Sequence, residues 1–150
     1  MKSHEYNAGF TLVEMLIVVA IIALLATMVV GLATRIDNQA KERGLKSTFT
    51  LLDGALQEYY DYWNAFPDPN KPPYLTHHSA ALYDQLYSTP TSRKILEEIS
   101  SKLIRDNPPQ IYDPWGTPLD YRYTLGDNFP MLVSAGPDKK PGSGDDISSR

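Results

Sequence analysis

The stretch Phe10–Val30 limits this chain more than any other part of it. Those 21 residues are apolar except for Thr11, Glu14 and Thr27. As a helix rising ~1.5 Å per residue, such a run reaches about 31 Å, enough for a bilayer core of roughly 30 Å. It also holds one carboxylate near its start. An ionised side chain inside a membrane helix costs roughly 2.5–3.5 kcal/mol on insertion scales, so Glu14 demands a functional reason and a partner. Read as a sequence, the span offers Glu14 no partner.

Beyond Val30 the pattern turns soluble without a breaker. Leu45, Phe49, Leu52, Leu56, Tyr59 and Trp63 recur at spacings of three and four, which is one face of a helix. The spacing predicts a single helix from about Phe10 to Asn64, lipid-embedded in its first half and amphipathic in its second. Pro67, Pro69, Pro72 and Pro73 end it. A short helix over Ser79–Tyr87 is predicted next, with Leu82 and Leu86 on one side, broken by Pro90. Ser92 reads as the N-cap of a further helix through Ile104, with Ile95, Leu96, Ile99 and Leu103 inward, stopped by Asn107-Pro108-Pro109. His77-His78 reads as a polar loop, because adjacent residues face apart on any regular element.

From Tyr112 the pattern becomes β. Asp113-Pro114-Trp115-Gly116-Thr117-Pro118 is a turn cluster, and Leu119, Tyr121, Tyr123 and Leu125 then alternate with polar residues as in a half-buried strand. Met131–Ser134 reads as its antiparallel return strand. The expected fold class is α+β: a long N-terminal helix packed on a small antiparallel sheet with a C-terminal loop.

That loop, Ser134 to Ile147, places Asp138, Asp145 and Asp146 among three glycines and two prolines. Hard cations such as Ca²⁺ take six to eight oxygens from carboxylates, backbone carbonyls and water, and glycine lets carbonyls turn inward. A solvated acidic tail has the same composition, and the EF-hand spacing is absent.

Composition excludes more than it proposes. Cysteine is absent, so neither a disulfide nor thiol chemistry operates. The net charge of −4 gives no general pull toward nucleic acid. No nucleophile–base set or phosphate loop has a recognisable spacing, which argues against an enzyme. A secretory signal has a shorter apolar core and a small-residue cleavage site after it. A plain signal anchor explains neither Gly9-Phe10 nor Glu14.

Gly9-Phe10-Thr11-Leu12-Val13-Glu14, heading an apolar helix after a short polar leader, resembles the processing site of type IV pilins and type II secretion pseudopilins. The resemblance implies a cleaved leader 1–9, cut by a prepilin peptidase between Gly9 and Phe10. It implies N-methylation of Phe10, and pairing of Glu14 with the Phe10 amine of a neighbouring subunit. Residues 10–32 are then the transmembrane and polymerisation helix, and 33–150 a periplasmic globular domain. By the positive-inside rule, Arg35, Lys41, Arg43 and Lys46 count toward the opposite orientation; the processing motif overrides that count.

Asp113-Pro114-Trp115-Gly116-Thr117-Pro118, Ser134-Ala135-Gly136-Pro137-Asp138 and Asp145-Asp146-Ile147 together resemble the major pseudopilin of type II secretion. This implies a structural Ca²⁺ in the loop at about 134–147, held by Asp138 and Asp146, with Asp145 as an added candidate and carbonyls near Leu132 and Ser134. The implied partners are copies of the chain in a helical filament, minor pseudopilins, an inner-membrane assembly platform and the peptidase. The alternatives are a type IV pilin for adhesion, motility or DNA uptake, and a membrane-anchored calcium-binding module that does not polymerise.

Overall fold

A computed structural model describes residues 10–72 and 78–150. The expected leader 1–9, with Gly9, and the positions of Pro73 and His77 lie outside the described residues. Helix α1 runs Leu12–Trp63, within two residues of the expected span. The chain divides into two compact units, one reaching Gln39 and the other Ala40–Arg150.

In the first unit the apolar side chains are open to the surroundings, as with Leu12 at 81% and Leu24 at 68% exposure. Mean hydropathy there reaches 3.0 over an 18-residue window, long and apolar enough to cross a membrane.

The second unit is the α+β domain. Its remaining elements are α2 (His78–Ser88), α3 (Pro90–Leu96), a 3₁₀ turn at Ser101–Leu103, and strands β1 (Ile104–Arg105), β2 (Gln110–Ile111), β3 (Asp120–Arg122), β4 (Met131–Ser134) and β5 (Ile147–Ser148). β1 pairs antiparallel with β2, and a separate antiparallel sheet runs in the order β3-β4-β5. The core forms where the seam of α1 meets this sheet: Leu45, Phe49, Leu52 and Leu56 are buried in one cluster with Leu82, Leu119, Tyr121 and Leu132. Fully burying a Leu-sized side chain contributes roughly 1.5–3 kcal/mol, so this seam is the main stabiliser of the domain. Trp63, the last seam residue, is instead 55% exposed.

α1 stops where Asn64 turns left-handed, at φ 54°, a conformation asparagine tolerates at a helix C-terminus. Polar ties then fix the segment that follows. The Tyr121 hydroxyl donates to the Pro67 carbonyl at 2.8 Å, and the Trp63 indole donates to Thr89 Oγ1 at 3.0 Å.

Several expectations are corrected. α2 ends at Ser88, ahead of Pro90 as expected, but Pro90 also opens α3, because the first turn has no use for its missing N–H; Thr89 rather than Ser92 is the N-cap, and Ser92 is buried inside the helix. α3 ends at Leu96 and does not reach Ile104: the Glu98 and Ile99 amides bond three residues back, tightening the chain out of the α-helix. Asn107-Pro108-Pro109 therefore lies between two strands, β1 and β2. His78 begins α2 instead of lying in a loop, and its Nδ1 is 3.3 Å from Asp120 Oδ1. Leu125 is 93% exposed, because β3 ends at Arg122 and no longer presents it to the core.

Candidate functional site

Two places answer the sequence reading, one in each unit. The first is the head of α1. Glu14 Oε2 accepts the Thr11 N–H and the Thr11 hydroxyl, both at 2.8 Å, and the Glu14 N–H donates back to Thr11 Oγ1 at 3.2 Å. This is a reciprocal capping box, so the span does supply Glu14 with a partner in the single chain. The T-x-x-E spacing ahead of an apolar run was the signal that could have revealed it. Phe10 stands beside this cap, 73% exposed, with the apolar flank of α1 running on behind it.

The second place is the C-terminal loop together with the turn that braces it. Asp113 is fully buried. Its Oδ1 accepts the amides of Trp115 at 3.0 Å and Thr117 at 2.8 Å, closing a turn in which Gly116 takes φ 93°. Its Oδ2 accepts the Ser134 hydroxyl at 2.7 Å, and Ser134 Oγ accepts the Gly136 amide at 3.1 Å. A polar relay thus runs from the aromatic turn, through the end of β4, to the first residues of the loop. Sequence reasoning assigned Ser134 through its carbonyl and missed its hydroxyl; the partners are 21 residues apart, and no spacing rule connects them.

The loop links two of the three predicted carboxylates, Asp138 and Asp145, through hydrogen bonds, while Asp146 is held separately. Asp145 Oδ2 accepts the Asp138 amide at 3.0 Å, and the Ser143 hydroxyl reaches both Asp145 Oδ1 and, at 3.3 Å, Asp138 Oδ1. The Ser143 hydroxyl and then the Asp138 amide hold the Asp145 carboxyl below its ordinary value. Asp138 Oδ1 also accepts the Lys140 amide, and Asp146 Oδ2 the Gly142 amide, each at 2.8 Å. Asp146 Oδ1 is buried with no hydrogen-bond partner.

The Leu132 carbonyl accepts the Ser149 amide at 2.9 Å, while Ser134 pairs with Ile147 in the ladder. Among the described residues, no three acidic or histidine side chains converge as a ready-made metal cluster. Glycine is required at 136, where φ is 65° and a Cβ would meet the Asp145 carbonyl oxygen at 2.2 Å.

Residues 6–30 match the model of the prokaryotic N-terminal methylation motif. The chain thus carries a prepilin-type motif at the head of its apolar helix. It is 28% identical to the type II secretion system core protein G of Escherichia coli (strain K12), over 99% of this chain and 94% of that protein. No solved structure matches. The pilin-like proteins are structural subunits rather than enzymes, and the exposed apolar helix fits a single-pass membrane-anchored subunit.

Proposed function

We propose that this chain is a subunit of a type II secretion pseudopilus, anchored in the inner membrane with its C-terminal domain in the periplasm. The observation that carries the reading is the pairing of a bare apolar helix with a carboxylate at its head. A prepilin peptidase would cut between Gly9 and Phe10 and expose an ammonium one residue before the cap. A carboxylate in hydrocarbon is tolerable beside such an ammonium. The amine of a neighbouring subunit then exchanges with the local Thr11 donors of Glu14, and the apolar flanks of many α1 helices cover one another in a helical fibre. Minor pseudopilins and an inner-membrane platform are the natural partners of that assembly. Its growth helps to move folded proteins across the outer membrane.

We further propose that the C-terminal loop binds Ca²⁺ through Asp138, Asp145 and Asp146. What supports this is a surplus of acceptors. Asp138 and Asp145 share one hydroxyl, and Asp146 keeps a buried oxygen with no donor. A hard cation satisfies such oxygens, with backbone carbonyls and water completing its shell. It supplies charge neutralisation and a crosslink between the start of the loop and β5, in a chain without cysteine.

The assembly reading is tested by Glu14→Gln in cells. Cleavage to a Phe10 amino terminus should persist while fibres fail to form; normal fibres would refute the pairing. The metal is tested by chelation of the full chain in detergent, which should lower the melting temperature and increase amide exchange in β5. No change in either would remove Ca²⁺ from the account.

A further inference from the structure

Asp113 and Ser134 are both fully buried, and neither is among the residues expected to hold a cation through its side chain. Ser134 ends β4, where its backbone pairs with Ile147 of β5, so it stands at the base of the loop that runs between those strands. Its hydroxyl works in two directions. It donates to Asp113 Oδ2 at 2.7 Å and accepts the Gly136 amide at 3.1 Å. An oxygen held that way fixes the backbone at 136 against the Asp113 turn.

Gly136 in turn touches the acidic residues. It lies so near Asp145 that a Cβ would come within 2.2 Å of the Asp145 carbonyl oxygen. The Asp145 carboxylate takes the Asp138 amide and the Ser143 hydroxyl, and that hydroxyl also reaches Asp138. A shift at 136 is therefore passed by contact to Asp145 and by hydrogen bonds to Asp138. At the other end of the relay, Asp113 Oδ1 holds the Trp115 and Thr117 amides. Leu132 and Tyr121 are fully buried beside this path and Trp115 nearly so, and an interior packed to that density gives the loop base little freedom to adjust on its own.

We propose that Asp113 and Ser134 are positioning residues for Ca²⁺ in the C-terminal loop, and that they couple metal binding to the turn Asp113–Pro118. The proposal rests on the Ca²⁺ reading above. Neither side chain is offered as a ligand; each acts through Gly136 on the backbone and carboxylates that are. A cation that needs six to eight oxygens at once is sensitive to the placement of each. Groups that orient the ligands of a metal, without touching it, are worth roughly 10–100-fold in affinity. The coupling is reciprocal: a cation that favours the loop with the relay intact also strengthens the relay, so the amides of the turn gain protection when the metal binds.

The affinity of the full chain for Ca²⁺ is measured in detergent by titration calorimetry, with amide exchange followed over residues 113–118 and 134–147. In the parent, Ca²⁺ should slow exchange in both segments. Ser134→Ala should weaken binding by about tenfold and remove the effect of the metal on 113–118. Asp113→Asn, nearly isosteric, should fall between that variant and the parent, and it carries the test if Ser134→Ala does not fold. Tyr121→Phe is the control: it loses a buried hydroxyl bond to the Pro67 carbonyl in the same domain, and it should bind Ca²⁺ as the parent does. Parent-like affinity in both relay variants overturns the positioning role and leaves the Ca²⁺ reading standing, as does an equal weakening in Tyr121→Phe. A parent that shows neither heat nor protection overturns the Ca²⁺ reading, and this proposal with it.

Discussion

Replacing Asp113 by Ala tests whether the buried relay organises the C-terminal half of the domain. The carboxylate receives three donors in a fully buried position: the Trp115 and Thr117 amides and the Ser134 hydroxyl. Each donor left without a partner costs about 1–3 kcal/mol. Removing the buried charge itself returns part of that, so the net loss comes to roughly 3–5 kcal/mol, a large share of the ~5–15 kcal/mol that stabilises a domain. At roughly 4 °C per kcal/mol for a domain of this size, the melting temperature should fall by about 12–20 °C.

Asp113→Asn keeps Oδ1 for both amides and turns an N–H₂ toward Ser134 Oγ, which can reverse and accept. Its cost should be about 1 kcal/mol. Near-ultraviolet circular dichroism of the full chain in detergent is the assay, because Trp115 sits in the turn that Asp113 closes. A drop of less than about 4 °C for Asp113→Ala would refute the reasoning, as would an equal loss for the two variants.

Gly136→Ala should destabilise by at least about 2 kcal/mol, since the added carbon needs both a left-handed backbone and the space of the Asp145 carbonyl; a melting curve unchanged from the parent would contradict this. Burial holds the Asp53 carboxyl above its ordinary value, against the pull of Arg150, whose guanidinium is 3.6 Å away. A raised carboxyl favours the folded state only when protonated, so this group costs stability above its folded value and the cost disappears as pH falls through it. Asp53→Asn should therefore be neutral or stabilising by up to about 1 kcal/mol at pH 7, with the difference from the parent closing under acid; a marked loss at pH 7 would show that the Arg150 pair outweighs the burial.

Much of the architecture was legible before any coordinates. The apolar run and the seam from Leu45 to Leu56 each repeat one property over many residues, so α1 is visible in the periodicity to within two residues at either end. Alternation from Leu119 likewise located the β3–β4 hairpin. The same local arithmetic fails for β1, β2 and β5: two residues carry no period, and a strand that short exists only because a partner strand supplies its hydrogen bonds. It also misses that Pro90, besides closing off α2, opens α3, where its missing N–H suits a first turn and Leu96 and Ile99 pack into the core.

The site divides along the same line. Sequence alone determined that a carboxylate sits at the head of an apolar helix and that three more crowd a glycine-rich loop, because residue type and order are enough to say so. Only tertiary structure decided that Ser134 spends its hydroxyl on Asp113 and that Asp146 keeps a buried oxygen without a donor. Those outcomes depend on residues far apart in the chain, and the packing of the core onto α1, rather than any local spacing, brings them together.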